Sequence, residues 1–122
     1  MTFSLEKARI LILEDEKFIA NVIEVIVKKA GHMVDKFTDP EEALKNFKEV
    51  KHDIILLDLH LPGSNGLDLI KEFNLIHDAK IIIVSGVVDE GIKDRCLEAG
   101  ASDFISKPFK ASDLNERISS QL

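Results

Sequence analysis

Three uninterrupted apolar runs, Ile10–Leu13, Ile54–Leu57 and Ile81–Val84, constrain this chain more than any other feature. Each is four residues long, and no polar residue alternates through it. A strand with one wet face would alternate, and four residues are too few for a buried helix. Such runs read as strands covered on both faces, which demands a sheet with a layer on each side. Five bursts emerge in all: Arg9–Leu13, Met33–Phe37, Ile54–Leu57, Lys80–Val84 and Asp103–Ser106. Longer amphipathic stretches separate them, so strand and helix alternate along the chain. That order points to βαβ units and a parallel sheet.

The helical stretches carry their own start and stop signals. Phe18, Ile19, Val22, Ile23 and Ile26 form one apolar stripe, with Glu24 and Lys28 paired at i, i+4 outside it. Gly31 follows where a left-handed residue ends a helix. Asp39-Pro40-Glu41-Glu42 opens the second helix, with an Asp cap and Pro at its first position. Leu69, Ile70 and Phe73 form the inner face of the third. Asp89 and Glu90 open the fourth, which Gly100 closes, and Ser112 caps a fifth that buries Leu114 and Ile118. Right-handed crossovers place these helices on both sides of the sheet. The expected fold is flavodoxin-like α/β, (βα)5, with five parallel strands in order 2-1-3-4-5.

One domain accounts for all 122 residues, 1–122, and 45% apolar with 31% charged content suits a packed globule. The lone cysteine, Cys96, excludes an intrachain disulfide framework and fits a reducing, cytoplasmic setting. It falls on the inner stripe of the fourth helix with Ile92 and Leu97, as a structural thiol. No apolar run approaches the roughly 20 residues that cross a bilayer. Glu6, Lys7 and Arg9 without an apolar segment argue against a secretory leader. A net charge of −6 makes nucleic acid a poor partner, because phosphate backbones demand a cationic face.

In open α/β sheets the ligand crevice lies beyond the carboxyl ends of the strands, where strand order reverses. The first strand there ends in Glu14-Asp15, the third in Asp58, the fourth in Ser85-Gly86 and the fifth in Lys107-Pro108. The second, an edge strand in this order, ends blandly in Phe37-Thr38-Asp39. Acids converging in one place repel: at ~4 Å and an effective dielectric near 20, a carboxylate pair costs about 4 kcal/mol. Such a cluster persists by holding protons or a cation. Oxygen ligands without a Cys or His cluster favour a hard ion, magnesium above others. A cation beside a lysine and a hydroxyl is equipment for handling a phosphoryl group.

The pattern Glu14-Asp15-Glu16, Asp58-Leu59-His60-Leu61-Pro62-Gly63-Ser64-Asn65-Gly66, Ser85-Gly86 and Lys107-Pro108-Phe109 resembles the receiver domain of bacterial response regulators, over about residues 8–120. The resemblance implies that Asp58 accepts a phosphoryl group from phosphohistidine on a sensor histidine kinase or histidine phosphotransfer protein. It implies Mg2+, with Mn2+ as a substitute, on Asp15, Asp58 and the His60 backbone carbonyl, with Glu14 acting through a bound water. Lys107 would pair with the acyl phosphate, Ser85 would swing toward it, and Phe104 would follow as the aromatic switch. Output would run through the surface of the fourth helix, fifth strand and fifth helix to a downstream effector. Such a domain is a switch and not an enzyme, beyond self-phosphorylation from small donors and slow autodephosphorylation. Departures from the family pattern are mild: Glu14 for Asp, Leu61 for Met, Ser85 for Thr and Phe104 for Tyr. Glu14 leaves direct and water-mediated metal contact both open, and Phe104 lacks a polar tip. The Lys107-Pro108 bond is a candidate cis peptide.

Three other readings compete. A pseudo-receiver would keep the fold and partner surface without using phosphate. A flavodoxin-like electron carrier would need Ser/Thr/Gly backbone donors after the first strand, where Glu14-Asp15-Glu16 would repel an anionic flavin. A dinucleotide site lacks its Gly-x-Gly-x-x-Gly. His32, His52, His60 and His77 show no pair at metal spacing and are expected on the solvent-exposed surface. The His60 and Val87 side chains are expected to tune water access to the site.

Overall fold

A computed structural model describes residues 7–86, 89 and 91–122. The strands are β1 (Arg9–Leu13), β2 (Met33–Phe37), β3 (Ile54–Asp58), β4 (Lys80–Ser85) and β5 (Asp103–Ser106). Between and after them run α1 (Lys17–Lys29), α2 (Pro40–Glu49), α3 (Gly66–Ile76), α4 (Ile92–Ala99) and α5 (Ala111–Ser120). The strands form one sheet in order β2-β1-β3-β4-β5, every neighbouring pair parallel. Side-chain alternation splits the core in two. Leu11, Leu13, Ile55, Leu57, Ile81 and Ile83 pack against α2, α3 and α4. Ile10, Ile12, Ile54, Leu56, Ile82 and Val84 pack against α1 and α5. Each apolar run thus serves both layers, which is why it could not alternate.

The local signals largely hold. Asp39 caps α2 by accepting from Glu42 N at 3.1 Å, with Pro40 at the first helical position. Gly31 (φ 101) and Gly100 (φ 119) end α1 and α4 in the left-handed conformation. Glu24 and Lys28 pair at 3.2 Å.

Several sequence expectations need correction. Phe18 is 79% exposed and Val22 39%; of the expected stripe, α1 buries Ile23 fully and Ile19 and Ile26 in part, and it also buries Ala20 and Val27. The apolar stripe is wider than the face the sheet covers, so its outer edge remains in solvent. α4 starts at Ile92 behind Gly91 in a left-handed conformation, so Asp89 precedes the helix and bonds through its carbonyl to Ile92 N. Glu90 and Val87 lie outside the described residues. Ser112 sits inside the first turn of α5, whose N-cap position is Lys110 with no side-chain cap. Leu97 is 39% exposed, leaving Cys96 as the buried residue of α4, its thiol pKa pushed up by burial and slightly opposed by Arg95.

The histidine expectation fails for three of four. His60 is exposed, but His52 is fully buried and His32 and His77 are partly buried. His52 stacks on Phe47 at 5.7 Å and its Nε2 lies 2.7 Å from Asp35 Oδ2. Its partners lie on other elements, Phe47 on α2 and Asp35 on β2, and it is their docking that buries it.

Candidate functional site

All five strands run the same way, so their carboxyl ends share one rim of the sheet. β1 and β3 are neighbours in register through Leu13↔Leu57, and this brings Glu14 and Asp15 beside Asp58. Among the described residues, Glu14, Asp15 and Asp58 form the one group of three potential metal ligands, with carboxylate oxygens within 4.8 Å of one another. Glu14 and Asp58 are buried and Asp15 is partly exposed.

Two features hold the acids in place. The Lys107 ammonium reaches back from the end of β5 to Glu14 Oε1 at 2.5 Å and stands 3.9 Å from Asp58 Oδ1. Backbone donors supply the rest: Glu16 N–H donates to Glu14 Oε2 at 3.2 Å, and His60 N–H to Asp58 Oδ1 at 3.1 Å. Lys107 N–H also donates to the Ser85 carbonyl at 2.8 Å, fastening β5 to the end of β4. The Lys107-Pro108 bond is cis, as expected.

One ammonium among three carboxylates leaves an excess of negative charge. Burial raises the Asp58 pKa to about 7, aided by neighbouring Glu14 and opposed by the His60 N–H and Lys107. A carboxyl group so displaced takes up a proton or a cation near neutrality. The donor set fits a hard divalent ion: three carboxylates, one of them at the solvent edge, with no sulfur or imidazole among them. Magnesium takes one or two carboxylates and keeps several waters, which the half-open geometry accommodates.

The structure brings Glu14, Asp15, Asp58 and Lys107 into one socket. Ser85 is fully buried at the end of β4, next but one in the sheet to β1. Phe104 lies in β5 opposite Ile83, buried against the α2–α3–α4 layer, and forms part of the floor of a groove of about 520 Å3 between α4, β5 and α5. The His60 side chain points to solvent while its backbone lies against Asp58.

Sequence reasoning missed two features near the socket. The first is an apolar hollow of about 320 Å3 lined by Phe18, Ile19, Val22, Ile26, Pro108 and Phe109, sharing Lys107 with the acid cluster. The stripe on α1 was visible, but which half of it faced outward was not. The second is the close approach of Gly66 to Leu59, for which the glycine after Pro62-Gly63-Ser64-Asn65 was the only signal.

A family model for the response regulator receiver domain matches residues 10–119. The chain is 38% identical over 112 residues to the chemotaxis protein CheY of Thermotoga maritima, covering 90% of this chain and 93% of that protein. It is 35% identical to the regulatory protein VanRB of Enterococcus faecalis and 36% to the two-component response regulator PhoP of Pseudomonas aeruginosa, over 93% of this chain in each case. It spans about half the length of those two, 52% and 51%. A CheY-like response regulator receiver from Methanospirillum hungatei superposes with a TM-score of 0.89 at 27% identity, over 95% of this chain and 94% of that one. Vibrio cholerae CheY4, at 22% identity and TM-score 0.89 over 96% and 100%, shares the fold. No described helix is long and apolar enough to cross a membrane.

Proposed function

The chain belongs to the response regulator receiver domain family of two-component signalling, and from that premise we propose that Asp58 is its phosphoacceptor. The observation that carries this reading is the convergence of Glu14, Asp15 and Asp58 beside a single ammonium, Lys107. The family's partner chemistry supplies the other half: a histidine kinase or phosphotransfer protein bearing phosphohistidine. An Asp58 carboxylate oxygen attacks phosphorus, the P–N bond to the imidazole breaks, and a P–O bond forms. The imidazole nitrogen leaves with the electron pair, and the product is an acyl phosphate.

Asp15, Asp58 and the His60 carbonyl are the residues that would hold Mg2+, with Glu14 directly or through water. The cation would neutralise charge on the phosphoryl oxygens during transfer. Lys107 stands between Glu14 and Asp58, so it can follow the charge. Phosphorylation replaces the single carboxylate charge of Asp58 with the about −1.5 to −2 of a phosphoryl group placed further out, which draws the ammonium away from Glu14. Ser85, buried at the next strand end, offers a hydroxyl to the phosphate. Its movement would carry Phe104 with it and change the groove between α4, β5 and α5 that serves as the output surface. The hollow bounded by Phe18, Val22, Pro108 and Phe109 adjoins the socket through Lys107, which suits docking of the phosphohistidine-bearing partner.

Incubation with Mg2+ and acetyl phosphate, read by intact mass, tests the assignment. One phosphate should be added, and Asp58→Ala should abolish it. Modification that persists on another residue would show the assignment to be wrong. Absence of any Mg2+ response would instead favour a phosphate-independent interaction module.

A further inference from the structure

The loop that follows Asp58 is tightly tied. Leu59 and Leu61 are buried, Ser64 N–H donates to the Leu61 carbonyl at 3.1 Å, and Gly63 (φ 73) completes the turn. Asn65 then caps α3, its Oδ1 accepting from Leu67 N at 3.0 Å and Asp68 N at 3.4 Å. The first helical residue, Gly66, is buried. A Cβ placed on it would lie 2.4 Å from the Leu59 carbonyl oxygen, 2.5 Å from Leu59 Cδ1 and 3.0 Å from Leu59 Cγ. Nothing stands within 4 Å of the corresponding point on Gly63, so that glycine serves its backbone angle and Gly66 serves space.

Helix propensity opposes a glycine here, since alanine is the better helix former. Close approach of backbone is the remaining reason. The group approached matters. The Leu59 carbonyl and the His60 N–H belong to one planar peptide, and that N–H is the donor to Asp58 Oδ1. Any side chain at 66 that pushes the carbonyl must rotate the peptide and swing the N–H off Asp58. The same rotation displaces the start of the His60 residue, whose carbonyl is the expected metal ligand.

We propose that Gly66 is a positioning residue: by carrying no side chain it lets the Leu59–His60 peptide lie against the start of α3, which aims the His60 N–H at Asp58 and sets the His60 carbonyl for the cation. The metal half of this inference rests on the function proposed above; the hydrogen-bond half does not.

The test compares wild type, Gly66→Ala, Leu59→Ala and the double variant. Leu59→Ala removes the side-chain contacts and leaves the carbonyl contact, so it separates packing from peptide orientation. Two quantities are read: the His60 amide resonance in EDTA, and the Mg2+ dissociation constant. Gly66→Ala should shift the His60 resonance and weaken Mg2+ binding about tenfold, as loss of an outer support to a metal ligand typically does. The double variant should show the same changes relative to Leu59→Ala, which is its reference because residue 59 is buried and adjoins the His60 amide. If Gly66→Ala does not fold, the double variant, relieved of two of the three contacts, carries the comparison. An unchanged His60 resonance in a folded variant, or restoration by Leu59→Ala, would overturn the proposal. Failure of the double variant to fold would also overturn it, because the contact would then be global packing. A wild type that ignores Mg2+ defeats the proposed function, yet the resonance in EDTA still decides the role of Gly66.

Discussion

The two ends of the sheet treat carboxylates in opposite ways. Toward the amino end, Asp35 in the middle of β2 accepts from Arg9 Nε at 2.9 Å and Nη2 at 3.4 Å, and lies 2.7 Å from His52 Nε2. One acid meets a guanidinium and an imidazole. Burial alone would raise its pKa, but the Arg9 and His52 hydrogen bonds hold it below the ordinary carboxylate value. At the carboxyl end, three acids share one ammonium, and Asp58 rises to about 7. Both places are partly or largely buried. The balance of cations to anions decides the sign. A matched cluster stabilises the fold it sits in, whereas an unmatched one is a standing cost that only a ligand relieves.

The comparison can be broken in order of effect. Asp35→Ala should cost about 3 kcal/mol in denaturant unfolding, since it leaves the fully buried His52 without its partner. Asp58→Asn should act in the opposite direction, stabilising the metal-free protein by about 2 kcal/mol at pH 8. An Asp58 carboxyl raised in the folded state favours folding when protonated. That stabilisation is complete below the ordinary value of 3.8 and lost as pH rises to about 7, so the advantage of Asp58→Asn should shrink on acidification. Asp35 contributes with the reverse slope: its stabilisation is present above the ordinary value and falls away below it. Melting curves in EDTA from pH 4 to 8 read Asp58, and their extension below pH 4 reads Asp35; an Asp58→Asn protein no more stable than wild type at pH 8 would erase the contrast.

Mg2+ at ten times its dissociation constant should stabilise wild type by about 1.4 kcal/mol and Asp58→Asn by less. It should leave unchanged the penalty of Asp35→Ala, because the two clusters share no residue. The smallest effect belongs to Arg9→Lys, a slight loss of stability, where the charge remains and the paired geometry is lost. A change in Mg2+ affinity in that variant would mean that the two ends are coupled.

How much of this was legible follows from the range over which each signal acts. The runs Ile10–Leu13, Ile54–Leu57 and Ile81–Val84 located three central strands because full burial is written into consecutive residues. Asp39-Pro40, Gly31 and Gly100 marked helix ends because caps involve neighbours within a few positions. Ser112 and Asp89 misled because a short polar residue near a helix start is compatible with several registers, and the tertiary docking of the helix selects one. His52 looked like a surface histidine because Asp35 and Phe47, which bury it, lie on other elements. Phe18 looked internal because the stripe on α1 has no mark for where the sheet ends.

The sequence alone determined that reactive side chains would cap the first, third, fourth and fifth strands, since three of them follow directly on an apolar run, Lys107 follows the shorter burst Asp103–Ser106, and parallel strands send their ends to the same rim. Tertiary structure alone decided how the charge divides there: Lys107 pairs with Glu14 across 93 residues, and the His60 N–H bonds to Asp58. The reason is physical. Identity and spacing set which groups arrive at a surface, but Coulomb energy and hydrogen bonding depend on distances of a few ångströms. Those distances are set by packing contacts such as Gly66 against Leu59, between residues whose closeness appears only when the chain has folded.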